Sequence, residues 1–134
     1  MYNRIRAVHV VVNSLEEAAK DYESRFGLTA TSPETQSQTG IRAAVVSMGD
    51  AVIEFIEPLD HEQGPVAKFL KTRGEGVYMM AWEVDSIDEA VKSLDAKGVR
   101  LISADAESRA KGVIPFIHPK ETHGVLIELV EKAK

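Results

Sequence analysis

At 134 residues, 44% hydrophobic and 28% charged, the chain has the size and composition of one compact domain that can bury its own core without staples. A formal charge of -5 and the lack of any basic cluster argue against nucleic acid or an anionic membrane as partner and favour a small-molecule ligand. The absence of cysteine removes disulfides, thiolate metal sites and a cysteine nucleophile, while the lack of a signal-peptide core or an 18-residue apolar span makes a cytoplasmic location the expectation.

Ile5 to Val12 is rich in β-branched residues and predicts a first strand, with Ile5, Ala7, His9 and Val11 on one face. Ser14 followed by Glu17 forms a capping box, which predicts a helix running to about Arg25 and ended by Gly27. The polar segment from Leu28 to Thr39 reads as a short strand followed by a mobile loop. Ile41 to Met48 and Ala51 to Glu57 then form a hairpin about the turn at Gly49-Asp50. After a linker, Pro65 starts a short helix over Val66 to Thr72 that Gly74 closes. A strand over Val77 to Val84, a helix over Ile87 to Lys97, a strand over Val99 to Ser103, a loop to Gly112, and strands over Val113 to His118 and Val125 to Val130 complete the chain.

Two stretches repeat. Asn13-Ser14-Leu15-Glu16-Glu17-Ala18 returns as Asp85-Ser86-Ile87-Asp88-Glu89-Ala90, a displacement of 72, and the apolar run holding Glu54 returns around Glu128, a displacement of 74. The order of elements between them is the same, so a tandem βαβββ duplication is the most economical reading, with modules at about 4–58 and 76–131 joined by a helical linker at 59–75. An ionised carboxylate in the middle of an apolar strand is costly unless a cation, a hydrogen bond or a shared proton offsets it. Duplication makes Glu54 and Glu128 equivalent positions expected to face one cleft.

The paired βαβββ pattern resembles the vicinal oxygen chelate superfamily, which includes glyoxalase I, extradiol dioxygenases and bleomycin-resistance proteins. Ile56-Glu57-Pro58-Leu59, Val66-Ala67-Lys68-Phe69-Leu70, Arg73-Gly74-Glu75-Gly76, His118-Pro119-Lys120 and Gly124-Val125-Leu126-Ile127-Glu128-Leu129 resemble its methylmalonyl-CoA epimerase branch. The resemblance implies an α+β fold of two modules forming a cup-shaped half-barrel, a homodimer, and transfer of a proton at a carbon beside a thioester carbonyl. It also implies a divalent metal held by a His on the first strand and a Glu or Gln on the fourth, once per module. Glu54 and Glu128 match the two fourth-strand positions. At the His positions this chain has Ala7 and Met79, which also correspond to each other at the internal displacement of 72.

Methyl and thioether groups do not replace imidazole for such an ion, so the expectation is no metal cofactor, with Glu54 and Glu128 as exchangeable acid and base. His9, Ala7, Tyr78, Met79 and Lys120 are the candidate substrate contacts. Two alternatives stand beside this reading: a divalent site built from His9, Glu54 and Glu128, and a non-catalytic module of the drug-sequestering kind. A further departure is Ala43, where some epimerases place a catalytic Glu three residues after the glycine opening the third strand. Arg42 can pair with a cleft carboxylate or face solvent, with solvent the expectation, and His61 and His123 are expected to be solvated.

Overall fold

Alternation of buried and exposed residues along the strands, and of capped amphipathic segments between them, gives an α+β arrangement over the described residues 1–133 of a computed structural model. They divide into two units, residues 7–78 and residues 1–6 together with the chain from Met79 onward.

In the unit 7–78, strand β1 (Tyr2–Val11) contributes its second half and is followed by helix α1 (Leu15–Phe26). The Ser14 hydroxyl accepts from the Glu17 amide at 3.2 Å, acidic Glu16 and Glu17 occupy the first turn, and Gly27 adopts φ 69°, so the helix begins and ends where its caps dictate. Strands β2 (Glu34–Gln36), β3 (Ile41–Met48) and β4 (Ala51–Pro58) give the order β2-β3-β4-β1, with β4 parallel to β1 and the other pairs antiparallel. The expected strand in the 28–39 segment therefore lies late in it, at Glu34–Gln36. Earlier in that segment, Thr31 instead clamps Val45 by exchanging backbone and hydroxyl hydrogen bonds of 2.9 Å.

Both faces of β4 are covered, for different reasons. Phe55 joins Leu15, Ala44 and Val46 beneath α1, where the Tyr22 ring meets Phe55 edge-on at 4.7 Å. Ile56, on the opposite face, joins Val11, Ile41 and Ala43 beneath Val66, Phe69 and Leu70 of helix α2 (Pro65–Arg73). Period two therefore puts Glu54 on the α2 side of the sheet and away from α1.

The other unit contains β5 (Gly76–Val84) from Met79, helix α3 (Ile87–Ala96), strands β6 (Leu101–Ile102) and β7 (Phe116–Ile117), and β8 (Leu126–Glu131), in the order β5-β8-β7-β6. Its core packs Val84, Ile117, Ile127 and Leu129 against Ala90 and Leu94 of α3, with Met80 and Trp82 at the margin. Two expected strands are shorter than read from sequence. Ser103, at φ 59°, ends β6, and Pro115, which has no N–H to donate, precedes β7. The expected loop before Gly112 carries a short helix, α4 (Ala106–Ala110), because Asp105 caps it by accepting from the Ser108 amide at 3.0 Å.

The two units share one register. Ala7 stands opposite Val52 in the parallel pair of β1 and β4, and Met79 opposite Leu126 in the pair of β5 and β8; the displacements are again 72 and 74. His9 consequently stands opposite Glu54 just where Ala81 stands opposite Glu128. Among the described residues no helix is long and apolar enough to cross a membrane.

Candidate active site

The parallel pairing of β1 with β4 sets His9 beside Glu54, and both side chains emerge on the face that α2 partly covers. Nε2 of His9 lies 3.4 Å from Oε2 of Glu54, with the imidazole 6% and the carboxylate 23% exposed. The other ring nitrogen is Nδ1. It is buried and meets no hydrogen-bond partner among the described residues. Around the pair the sheet is apolar: Val45 stands opposite Glu54 on β3, with Ala43, Ile56 and Val11 along the same face.

The remaining predicted positions fall as follows. Glu128 is half-buried on β8, opposite Ala81 on one side and Phe116 on the other. Ala7 is buried opposite Val52, and Met79 is half-buried opposite Leu126. Tyr78 sits in the cluster beneath α2, its ring edge-on to Phe69 at 5.2 Å, and burial pushes its phenol above the ordinary 10.0. Lys120 is exposed on a single 3-10 turn, Pro119–Glu121, whose start is capped by His118 Nδ1 accepting from the Lys120 amide at 3.0 Å.

Sequence reasoning misplaced Arg42. Rather than facing solvent it donates to Glu57 and to Glu16, each at 2.8 Å, because β3 and β4 set Arg42 opposite Glu57 on the face that α1 overlies. Glu57, 9% exposed, is thus the more deeply buried carboxylate of the β4 run, and a guanidinium offsets it. A second buried carboxylate also went unforeseen: Glu83 receives Arg4 and Arg6, both at 3.2 Å. Both cases carried a sequence signal, a basic residue alternating on a strand, but the strand that answers it is set only by pairing.

Comparison with known proteins now decides the family. Residues 7–116 match the Glyoxalase/Bleomycin resistance protein/Dioxygenase superfamily. The chain belongs to this superfamily. Within it, the chain is 33% identical over 131 residues to the mitochondrial methylmalonyl-CoA epimerase of Dictyostelium discoideum, covering 96% of this chain and 78% of that protein. The crystal structure of methylmalonyl-CoA epimerase from Mycobacterium tuberculosis superposes with a TM-score of 0.80 at 33% identity, covering 97% of this chain and 88% of that one. A substituted form of the Streptomyces coelicolor methylmalonyl-CoA epimerase, in complex with 2-nitronate-propionyl-CoA, superposes with a TM-score of 0.81 at 26% identity over the full length of both chains. The methylmalonyl-CoA epimerase-like branch of the superfamily is therefore the one to which this chain is similar throughout.

The superfamily's divalent ion asks for imidazole at the positions of Ala7 and Met79, and these residues offer a methyl group and a thioether. Among the described residues no group of three or more His, Cys, Asp or Glu side chains is placed to hold an ion. The donor set does not fit a divalent ion held in the superfamily's manner.

Proposed function

We propose that this chain is an epimerase of the vicinal oxygen chelate superfamily that moves a proton at the carbon beside the carbonyl of a CoA thioester, and does so without a divalent metal. The whole-length similarity to methylmalonyl-CoA epimerases supports the reaction class. The observation that carries the mechanism is the pairing of His9 with Glu54 on an apolar, largely buried face. Removing an α-proton leaves an enolate, and a base held away from water beside a fixed carboxylate is suited to take that proton. Glu54 is the carboxyl group we assign to this proton transfer, with His9 beside it. Methylmalonyl-CoA is the first substrate to test, followed by other 2-substituted acyl-CoA thioesters, since Ala7, Ala43 and Met79 make their positions more apolar than those of the branch.

That same apolar set favours one other reading, a module that binds a small molecule and leaves it unchanged. Incubation of the protein with each thioester in deuterated water separates the two. Loss of the α-proton signal in proton NMR at a rate proportional to protein concentration supports the epimerase; saturable binding with the α-proton retained across the panel supports sequestration.

A further inference from the structure

Removing a proton beside a thioester carbonyl leaves negative charge on the carbonyl oxygen, and that charge needs a donor. Ala7 and Met79 cannot gather an ion to supply one, so the donor must come from this chain's own groups. On the face of the unit 7–78 that carries Glu54, the cluster beneath α2 consists of Val11, Ile41, Ala43, Ile56 and Val66, with Phe69, Leu70 and Tyr78 packed against it. Tyr78 alone among them bears a polar group. Of the chain's other two tyrosines, Tyr22 packs beneath α1 on the opposite face of the sheet and Tyr2 lies outside this unit.

The Tyr78 ring is set edge-on against Phe69 at 5.2 Å. Tyr78 is half-buried rather than sealed, and its hydroxyl makes no hydrogen bond among the described residues, so the oxygen is open to a ligand. Burial pushes the phenol above the ordinary 10.0, which keeps it neutral and a donor at neutral pH. Val11 and Ile56, in the cluster that Tyr78 packs against, stand opposite each other two residues along β1 and β4 from His9 and Glu54. The cluster that holds the ring therefore begins one row, about 7 Å, from the carboxylate.

We propose that the Tyr78 hydroxyl is the oxyanion donor of this site, hydrogen-bonding the thioester oxygen as Glu54 takes the α-proton. This rests on the epimerase reading above and adds the group that stabilises the enolate. In the step the α C–H bond breaks, its proton forms an O–H bond on the Glu54 carboxylate, and its electron pair passes into the enolate, whose oxygen accepts from the phenol. The phenol keeps its own proton throughout. Return of a proton to the α-carbon, from the Glu54 carboxyl or from water on the opposite face, ends the step; where water supplies it, the Glu54 carboxyl gives its proton back to the solvent. Charge and protons balance.

Tyr78→Phe removes the oxygen and keeps the ring against Phe69. Its α-proton exchange in deuterated water should show kcat lowered by about 100-fold with KM changed little. The stable anion 2-nitronate-propionyl-CoA, planar and charged at the same carbon as the enolate, should bind the variant more weakly than the wild-type chain by a similar factor, while propionyl-CoA binds both alike. Exchange and nitronate binding at wild-type levels in Tyr78→Phe would overturn the assignment and leave the epimerase reading intact; no exchange by the wild-type chain on any thioester would overturn that reading and the assignment with it. Carbon-13 NMR of the wild-type protein labelled at the tyrosine ζ carbon gives a check that does not depend on the variant's folding. The nitronate should shift the Tyr78 signal, and a signal it leaves unmoved would rule the phenol out as the donor.

Discussion

Nε2 of His9 stands 3.4 Å from Oε2 of Glu54 across the parallel strands β1 and β4. The contact sets a carboxylate beside a buried imidazole on an apolar face. Glu54→Ala should therefore destabilise the protein by about 1–3 kcal/mol by removing the polar partner that faces the buried imidazole. Glu54→Gln should cost less, since its amide oxygen can still accept. Urea unfolding followed by circular dichroism checks the order; equal stabilities for the two variants would contradict it.

Arg42 answers two carboxylates at once, the buried Glu57 and the exposed Glu16. Replacing it with alanine leaves Glu57 nearly inaccessible and without its cation. A lower urea midpoint is expected, and most of the loss should be recovered in Arg42→Ala combined with Glu57→Leu.

Glu83 makes part of the stability acid-sensitive. Burial works against its ionisation, but hydrogen bonds from Arg4, Asn3 and Arg6 together with the charge of Arg4 outweigh that and hold its carboxyl below the ordinary 4.5. Asp85 is likewise held low, by hydrogen bonds from Asn3 and Lys132. With the folded pKa depressed, the folded state binds fewer protons than the unfolded chain. The stabilisation is present above the ordinary carboxylate range and is lost as pH falls through it, from about pH 5 downward. The urea midpoint of the wild-type chain should thus fall between about pH 5 and pH 3, and Arg4→Ala with Arg6→Ala should flatten that fall. An unchanged slope in the double variant would contradict the assignment.

Leu129 is fully buried in the core formed with α3, next to Ile127 and Val84. Leu129→Ala should lower stability by about 2–5 kcal/mol, according to how far the core closes over the cavity. Chemical denaturation measures this, and a cost below that of an exposed substitution such as Val77→Ala would place the core elsewhere.

Local signals made much of this molecule legible in advance. The capping boxes at Ser14 and Ser86 marked both long helices because a cap is a contact between residues three apart, visible in the sequence itself. The repeat displacements of 72 and 74 reappear as the registers of β1 with β4 and β5 with β8. What went unread depends on contacts between distant residues. His9 could be set on the face of Ala7 and offered as a neighbour of Glu54, but the parallel register that sets the two opposite each other is printed by no local pattern. Arg42 was assigned to solvent because alternation gives a face and not its neighbour, and Glu83 was overlooked because its cations lie 77 and 79 residues earlier. The helix at Ala106–Ala110 was the one local miss, since Asp105 followed by Ser108 was already a cap signal.

The central claim is proton transfer beside a thioester carbonyl by a chain whose Ala7 and Met79 cannot serve as metal ligands. Its most direct test is the epimerisation of methylmalonyl-CoA and related 2-substituted acyl-CoA thioesters by protein treated with EDTA and verified metal-free by elemental analysis. The account predicts α-proton exchange at the same rate before and after chelation, unaltered by added manganese, cobalt or zinc. Activity that disappears with the metal and returns with it would contradict the account.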